Sequence, residues 1–264
     1  MALGIAACSA PRAEQASREL PRIVSLNPCT DAILVEVADP QQVLALSHYS
    51  QDPNSTSMEL EKAQQYRSIS GTVEEVSALD PDVILASSFI SPATSAALAD
   101  LGFSVERFGI ASEIDASFEQ IRQIAAVAGH PERGEALIER IEQALAANAA
   151  GAGERSIATV LWQPGEIVPG EQALISHLMR NAGFASHSAA LGLGQADYLS
   201  LEQLLAMPPD LLLIAGASRG QRHPALARLK ETKVAALDPT LLYCGGPTII
   251  RAAERLAAIR QAMS

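Results

Sequence analysis

One pattern of residue types occurs twice in the chain, at residues 72–85 and again at residues 200–213. Each copy begins with a hydroxyl residue that can cap a helix, Thr72 or Ser200, and continues with a short helical pattern. A proline–aspartate break and a hydrophobic run typical of a buried strand follow. The repeat predicts two similar α/β lobes. A chance likeness between two helix-to-strand turns is the alternative.

Strand and helix patterns alternate on both sides of a helical block, which indicates parallel sheets in both lobes. The block, residues 116–150, has apolar positions at helical spacing, with Gly129 ending one helix and Pro131 beginning the next. We expect an N-terminal α/β lobe at residues 21–115 and a C-terminal α/β lobe at residues 151–264.

The composition limits the partners of the chain. With 30 acidic and 19 basic residues, the net charge is −11 at pH 7, and such a surface repels phosphate backbones, so we expect no nucleic-acid partner. Hydrophobic residues make up 48% of the 264 residues, which excludes a globally disordered chain.

The first 20 residues differ from the rest. Residues 5–8 read Ile-Ala-Ala-Cys and resemble a bacterial lipobox, in which the cysteine is acylated and becomes the mature N-terminus. We therefore expect lipidation at Cys8, with residues 1–20 as the remnant of a signal and a polar tether. The basic segment of a signal peptide is missing, and a frayed cytosolic N-terminus is the alternative. No later apolar run approaches the roughly 18 residues of a membrane span.

Several segments resemble, in order, the periplasmic substrate-binding proteins of ABC importers for iron chelates, haem and vitamin B12. Residues 22–31, Arg-Ile-Val-Ser-Leu-Asn-Pro-Cys-Thr-Asp, are similar to the family's RIVSLSPSATE start. Residues 46–53, Leu-Ser-His-Tyr-Ser-Gln-Asp-Pro, are similar to the VSSYSDYP-like loop of members that bind vitamin B12. Residues 74–84 resemble the element LERIVALKPDLVI, and Gly246-Pro247 before the last helix is also a family feature. The resemblance spans about residues 21–262.

The resemblance implies a fold and a function. The fold is two α/β lobes with parallel sheets joined by a long rigid helix. The function is capture of a metal chelate (a ferric siderophore, a cobalamin or haem) between the lobes, and its delivery to an ABC permease dimer in the inner membrane. We expect a monomeric periplasmic protein without a cofactor and without enzymatic turnover. Ile69-Ser70 stands where vitamin B12 binders have a tryptophan, which argues against a corrinoid.

In this family one surface glutamate of each lobe docks on arginines of the permease, and the matching residues are Glu74 and Glu202. Each is expected in the first turn of its helix, where charge-assisted pairing with arginine can orient a partner. Acidic residues also favour that position through the helix dipole alone, which is the alternative.

Ligand contacts are expected on loops at the carboxyl ends of the parallel strands, which face the cleft of such folds. Tyr49 matches the family loop that contacts ligand. Trp162 could stack on a ligand or fill the core of its lobe, and Arg219 lies in a basic cluster that could meet carboxylates or simply be solvated. The predicted ligand residues are Asn27, His48, Tyr49, Phe89, Trp162, Tyr198, Arg219 and Tyr243.

The histidines and cysteines of the chain are candidates for other kinds of site. His48 and His223 could hold a bare metal ion across the cleft, although no histidine spacing matches a zinc motif, so we expect no metal site. Cys29 and His48 could form a thiol nucleophile and its base, although no flanking signature supports such an enzyme. Cys29 and Cys244 are expected as buried thiols, and a disulfide between the lobes is the alternative.

Overall fold

The first lobe contains a five-stranded parallel sheet. The structure, a computed structural model, describes residues 20–263. The strands are β1 (Ile23–Ser25), β2 (Val43–Ser47), β3 (Ser68–Ile69), β4 (Val83–Ser87) and β5 (Ser104–Phe108). Their order in the sheet is β3-β2-β1-β4-β5, and all neighbours are parallel. The central strand β1 is buried along its whole length, as expected for a strand with helices on both faces.

Four helices accompany this sheet: α1 (Pro28–Val37), α2 (Leu60–Ala63), α3 (Val73–Leu79) and α4 (Pro92–Asp100). Helix α1 begins after Asn27, whose side-chain oxygen accepts a hydrogen bond from the backbone N of Cys29 at 2.9 Å. Asn27 is extended and Pro28 occupies the first helical position, the arrangement typical of a helix start.

Two long helices connect the lobes, α5 (Ile114–Ala128) and α6 (Pro131–Ala147). Gly129 ends α5 with a φ of 81°, a left-handed conformation that favours glycine. Helix α6 is about 25 Å long and contacts α1 of the first lobe. Its buried residues Leu137, Ile138 and Ile141 belong to a hydrophobic core that continues into the second lobe.

The second lobe repeats the architecture with a four-stranded parallel sheet and a small antiparallel ribbon. The strands are β6 (Ile157–Trp162), β7 (Ile167–Val168), β8 (Phe184–Ser186), β9 (Asp197–Tyr198), β10 (Leu211–Ile214) and β11 (Lys233–Ala236). The helices are α7 (Leu174–Asn181), α8 (His187–Ala190), α9 (Leu201–Ala206) and α10 (Thr248–Gln261). The sheet order is β11-β10-β6-β8, while β7 pairs with β9. Helix α10 packs against α6 and α7.

The two copies of the sequence repeat occupy equivalent places. The first copy forms α3 and β4, and the second forms α9 and β10. In each lobe this strand pairs with the first strand of its own lobe, β1 or β6. Both helices begin with a capping box, in which the hydroxyl of Thr72 or Ser200 accepts from a backbone N three residues later at 3.2 Å. The predicted two-lobe α/β fold is therefore confirmed.

A disulfide joins the lobes. Cys29 in the first turn of α1 is bonded to Cys244, in the loop before α10, across 215 residues of sequence. The expectation of two free buried thiols is therefore wrong, because α1 and the Cys244 loop meet where the lobes touch.

Polar contacts surround the disulfide. The backbone N of Gly246 donates to Ser117 Oγ of α5 at 2.7 Å, and the Thr248 hydroxyl donates to the carbonyl of Ser57 at 2.9 Å. Gly245 lies so close to Ser117 that a side chain there would overlap it. The disulfide and these contacts, which we call the clasp, hold the Cys244 loop against the first lobe.

Candidate ligand cleft

Large hydrophobic side chains are exposed at the strand ends of both lobes. In the first lobe these are Tyr49 after β2 (51% exposed), Phe89 after β4 (75%) and Ile110 after β5 (71%). In the second lobe Tyr198 in β9 is 66% exposed, and Tyr243 beside the disulfide is 57% exposed. Exposed apolar groups that gather at one end of a fold are typical of a binding surface. Ile110 was not predicted from the sequence, because it is neither polar nor aromatic.

The clasp brings a loop of the second lobe to the strand ends of the first. The Sγ atom of Cys29 lies 3.8 Å from the carbonyl oxygen of Tyr243, and Cys29 follows the carboxyl end of β1 directly. Tyr243 is therefore next to the edge of the first sheet where Tyr49 and Phe89 also emerge. Of the predicted ligand residues, these are the ones that the structure brings together most clearly.

A cavity of about 240 Å³ lies in the first lobe, between the carboxyl ends of β1 and β4 and the starts of α3 and α4. Its lining combines apolar groups with hydroxyls: Leu26, Ser70, Gly71, Ala86, Ser87, Phe89, Ile90 and Thr94. The volume is below the roughly 300–1,000 Å³ typical of drug-sized ligands, so the cavity can take an edge of a large ligand. The sequence predicted Phe89 here. Ser70, Gly71 and Thr94 were not predicted as ligand residues.

His48 and Tyr49 stand on a 3₁₀ turn, His48–Gln51, immediately after β2. Their ring centroids are 4.0 Å apart, and both side chains are exposed. Under the turn lies the fully buried Asp31, whose Oδ2 accepts from the backbone N of Ser47 at 2.9 Å and from the Ser50 hydroxyl at 2.7 Å. Burial raises the pKa of Asp31 to about 8.

The basic cluster of the second lobe lies on the loop after β10. Arg219, Arg222 and His223 are all exposed, and within residues 20–263 neither arginine side chain has an ion pair or hydrogen bond. The intervening Gln221 is buried. Two unpaired guanidinium groups on one exposed loop can donate hydrogen bonds to the carboxylates of a ligand.

The structure corrects the interpretation of Trp162. Its side chain is fully buried among the core residues of the second lobe, and its indole N donates to the carbonyl of Leu199 at 2.9 Å. It therefore fills the core and cannot stack on a ligand. Asn27 is half-buried, and its side-chain oxygen is engaged as the cap of α1.

The alternative kinds of site find little support. Cys29 is in the disulfide and has no thiol, so the proposed Cys29–His48 nucleophile and base pair is wrong. Across residues 20–263, no group of three or more His, Cys, Asp or Glu residues could hold a metal ion. Nor is any helix within that range long and apolar enough to cross a membrane.

Glu74 and Glu202 occupy the same position in the two repeats, as the second residue of α3 and of α9. Both are exposed, and neither carboxylate has a hydrogen-bond or ion-pair partner in the described part of the chain. Glu75, by contrast, folds back on the start of α3, and the Ser70 hydroxyl donates to it at 2.6 Å. Two unpaired carboxylates are thus displayed, one by each lobe.

Comparisons with known proteins agree with this architecture. The sequence profile of a family described as periplasmic binding protein matches residues 23–243. No curated protein matches the chain.

Solved structures with a similar fold include periplasmic binding proteins from two bacteria. The haem-binding protein RhuT from Roseiflexus sp. RS-1, in apo form, has a TM-score of 0.75 and 22% identity, over 92% of this chain and 99% of that one. The haem-binding protein HutB of Vibrio cholerae has a TM-score of 0.75 and 19% identity, covering 90% and 98% of the two chains. The vitamin B12 binding protein BtuF of Vibrio cholerae has a TM-score of 0.69 and 20% identity, covering 92% and 98%.

Proposed function

Because the chain belongs to the periplasmic binding protein family, we propose that it is the solute-binding component of an ABC importer and that it captures a metal chelate between its lobes. One observation carries the proposal: four exposed aromatic side chains, Tyr49 and Phe89 in one lobe and Tyr198 and Tyr243 in the other, stand outside the two parallel sheets. Such rings offer flat apolar surface to a large planar or cyclic ligand.

The ligand classes that fit are haem, a cobalamin and a ferric siderophore. Structural neighbours that are haem-binding or vitamin B12 binding proteins support these classes. The unpaired Arg219 and Arg222 favour a ligand with carboxylate or other anionic groups at the second lobe. A bare metal ion is less well supported, because three-ligand groups are lacking in residues 20–263.

We propose capture without turnover, and the chemistry of the cleft supports this. The cysteine that could have served as a nucleophile is oxidised. The remaining exposed groups at the strand ends are suited to holding a ligand. Helix α6 and the clasp limit relative motion of the lobes, so we propose that ligand enters and leaves with only small opening.

We propose that Glu74 and Glu202 dock the protein on the permease when the ligand is delivered. Glu74 and Glu202 each extend from the start of a helix, one in each lobe. Arginines of a permease dimer could pair with both at once. We further propose that the protein acts as a monomer in the periplasm and is anchored by lipid at Cys8, which lies outside the described residues.

The test is a titration with haem, cyanocobalamin and a ferric siderophore, followed by absorbance. Phe89→Ser should weaken binding of the preferred chelate by about tenfold or more, because a ring contact of about 1.5 kcal/mol or more is lost. Leu101→Ser is the matched control: Leu101 is also an exposed apolar residue of the first lobe, but it precedes β5 and so lies at the amino ends of the strands. Equal affinities of the two variants would contradict the placement of the site.

A further inference from the structure

The loop that carries Tyr49 is held from below by one buried side chain. Asp31 is fully buried, and its Oδ2 accepts from both the backbone N of Ser47 and the hydroxyl of Ser50. These two residues flank His48 and Tyr49 on either side. On the far side of the turn, Gln51 donates to the carbonyls of Ala63 and Tyr66 at 3.1 and 2.9 Å. The turn is therefore fastened at both ends while its aromatic side chains project outwards.

The basic loop of the second lobe is held in the same manner. Gln221 is 6% exposed, and its amide N donates to the carbonyls of Trp162 and Ala215, at 2.8 and 3.2 Å. Its side-chain oxygen accepts from the backbone N of Ser218 at 2.8 Å. One side chain thus ties the ends of β6 and β10 to the loop that presents Arg219.

The hydrogen bonds of Asp31 and Gln221 hold surface loops in place as well as satisfying buried polar groups. A carboxyl group is seldom fully buried, because desolvation of its charged form is costly, and the raised pKa of Asp31 reflects that cost. Loops at strand ends lack the ladder of backbone bonds that fixes a strand. Exposed rings and guanidinium groups on such loops keep a fixed direction only if the backbone beneath them is held.

We propose that Asp31 and Gln221 are positioning residues of the ligand site, one in each lobe, which fix the backbone under Tyr49 and Arg219 before ligand arrives. This inference rests on the proposed function, since it assumes that the two loops contact the ligand. Neither side chain need touch ligand itself: each acts through the loop that it fastens.

The experiment compares Asp31→Ala, Asp31→Asn and Gln42→Ala with the unaltered protein, using haem and cyanocobalamin as probes. Asn keeps an oxygen that can accept from Ser47 and Ser50, whereas Ala removes it. Gln42 is the matched control: it is buried and its amide N donates to two carbonyls, but it lies at the opposite end of β2. Hydrogen–deuterium exchange of residues 47–51 is measured for each variant.

Asp31→Ala should speed exchange in residues 47–51 and weaken binding of the better probe by about tenfold, since a buried hydrogen-bonded anchor is lost. Asp31→Asn should keep both the exchange rate and the affinity of the unaltered protein. Gln42→Ala should change neither the exchange of residues 47–51 nor the affinity, even if it lowers thermal stability. For the second lobe, Gln221→Glu keeps the shape but cannot donate to Trp162 and Ala215. It should therefore weaken binding as much as Gln221→Ala.

The outcomes separate this inference from the proposed function. If the unaltered protein binds neither probe, haem and cobalamins are contradicted as ligands while a ferric siderophore is not, and the exchange data alone decide whether Asp31 fastens the loop. If it binds a probe but Asp31→Ala binds equally well, or if Gln42→Ala loses as much affinity, the positioning role is wrong. Unchanged exchange at residues 47–51 in Asp31→Ala would overturn it independently of any ligand.

Discussion

Removing the disulfide should destabilise the whole protein, because Cys29 and Cys244 are separated by 215 residues. In the chain-entropy account, closing a loop of this length restricts the unfolded chain by an amount worth about 5 kcal/mol at 25 °C. Measured values are usually smaller, so we expect Cys29→Ala with Cys244→Ala to lower the free energy of unfolding by about 2–5 kcal/mol. For a protein of this size that is a fall in Tm of about 4–10 °C.

Calorimetry of four samples measures the effect: the oxidised protein, the same protein after reduction with a phosphine, and the double alanine variant with and without the phosphine. The reduced protein and the variant should melt at similar, lower temperatures, and the reductant should leave the variant unchanged. If reduction of the unaltered protein leaves its Tm where it was, the reasoning is refuted, because the lobes would then not be tethered through Cys29 and Cys244.

Three other predictions concern single sites. Asp31 has a pKa near 8 when folded, well above its ordinary value, so the folded state holds a proton that the unfolded state has lost. The free energy of unfolding should therefore fall as pH rises from about 4 to 8. Urea unfolding at pH 5 and pH 8 should show a smaller fall in this free energy for Asp31→Asn than for the unaltered protein. Alanine at both Glu74 and Glu202 should reduce uptake, or stimulated ATP hydrolysis, in membranes with the cognate importer. Each single change should cost only about 0.3–1 kcal/mol of stability, and normal transport by the double variant would show that the glutamates are only helix-start residues. Palmitate labelling in a Gram-negative host should be lost in Cys8→Ser, and labelling that persists would exclude this lipidation site.

The fold could be predicted from the sequence, because local patterns determine it. The repeat at Thr72 and Ser200 combines a cap, a short helix and a hydrophobic strand, and each of these signals is confined to a few neighbouring residues. Gly129 and Pro131 likewise mark the corner between the connecting helices through their own backbone preferences.

The site was harder to predict from the sequence, because it depends on contacts between residues that are distant along the chain. Trp162 ends a strand and could have faced either side, and only its hydrogen bond to Leu199, the residue after β9, shows that its ring is covered. The Cys29–Cys244 bond depends on how the lobes meet, which no local pattern reports. The role of Asp31 was not predicted, because its carboxyl group contacts Ser47 and Ser50, which lie 16 and 19 residues further along the chain.

The most direct test of a chelate-capturing protein is native mass spectrometry of the protein with haem, cyanocobalamin and a ferric siderophore, each recovered afterwards. We predict a saturable one-to-one complex with at least one chelate, weakened in Phe89→Ser and unchanged in Leu101→Ser, and a released chelate of unchanged mass. Failure of every chelate to form a saturable complex, or steady conversion of any of them into another compound, would contradict the account.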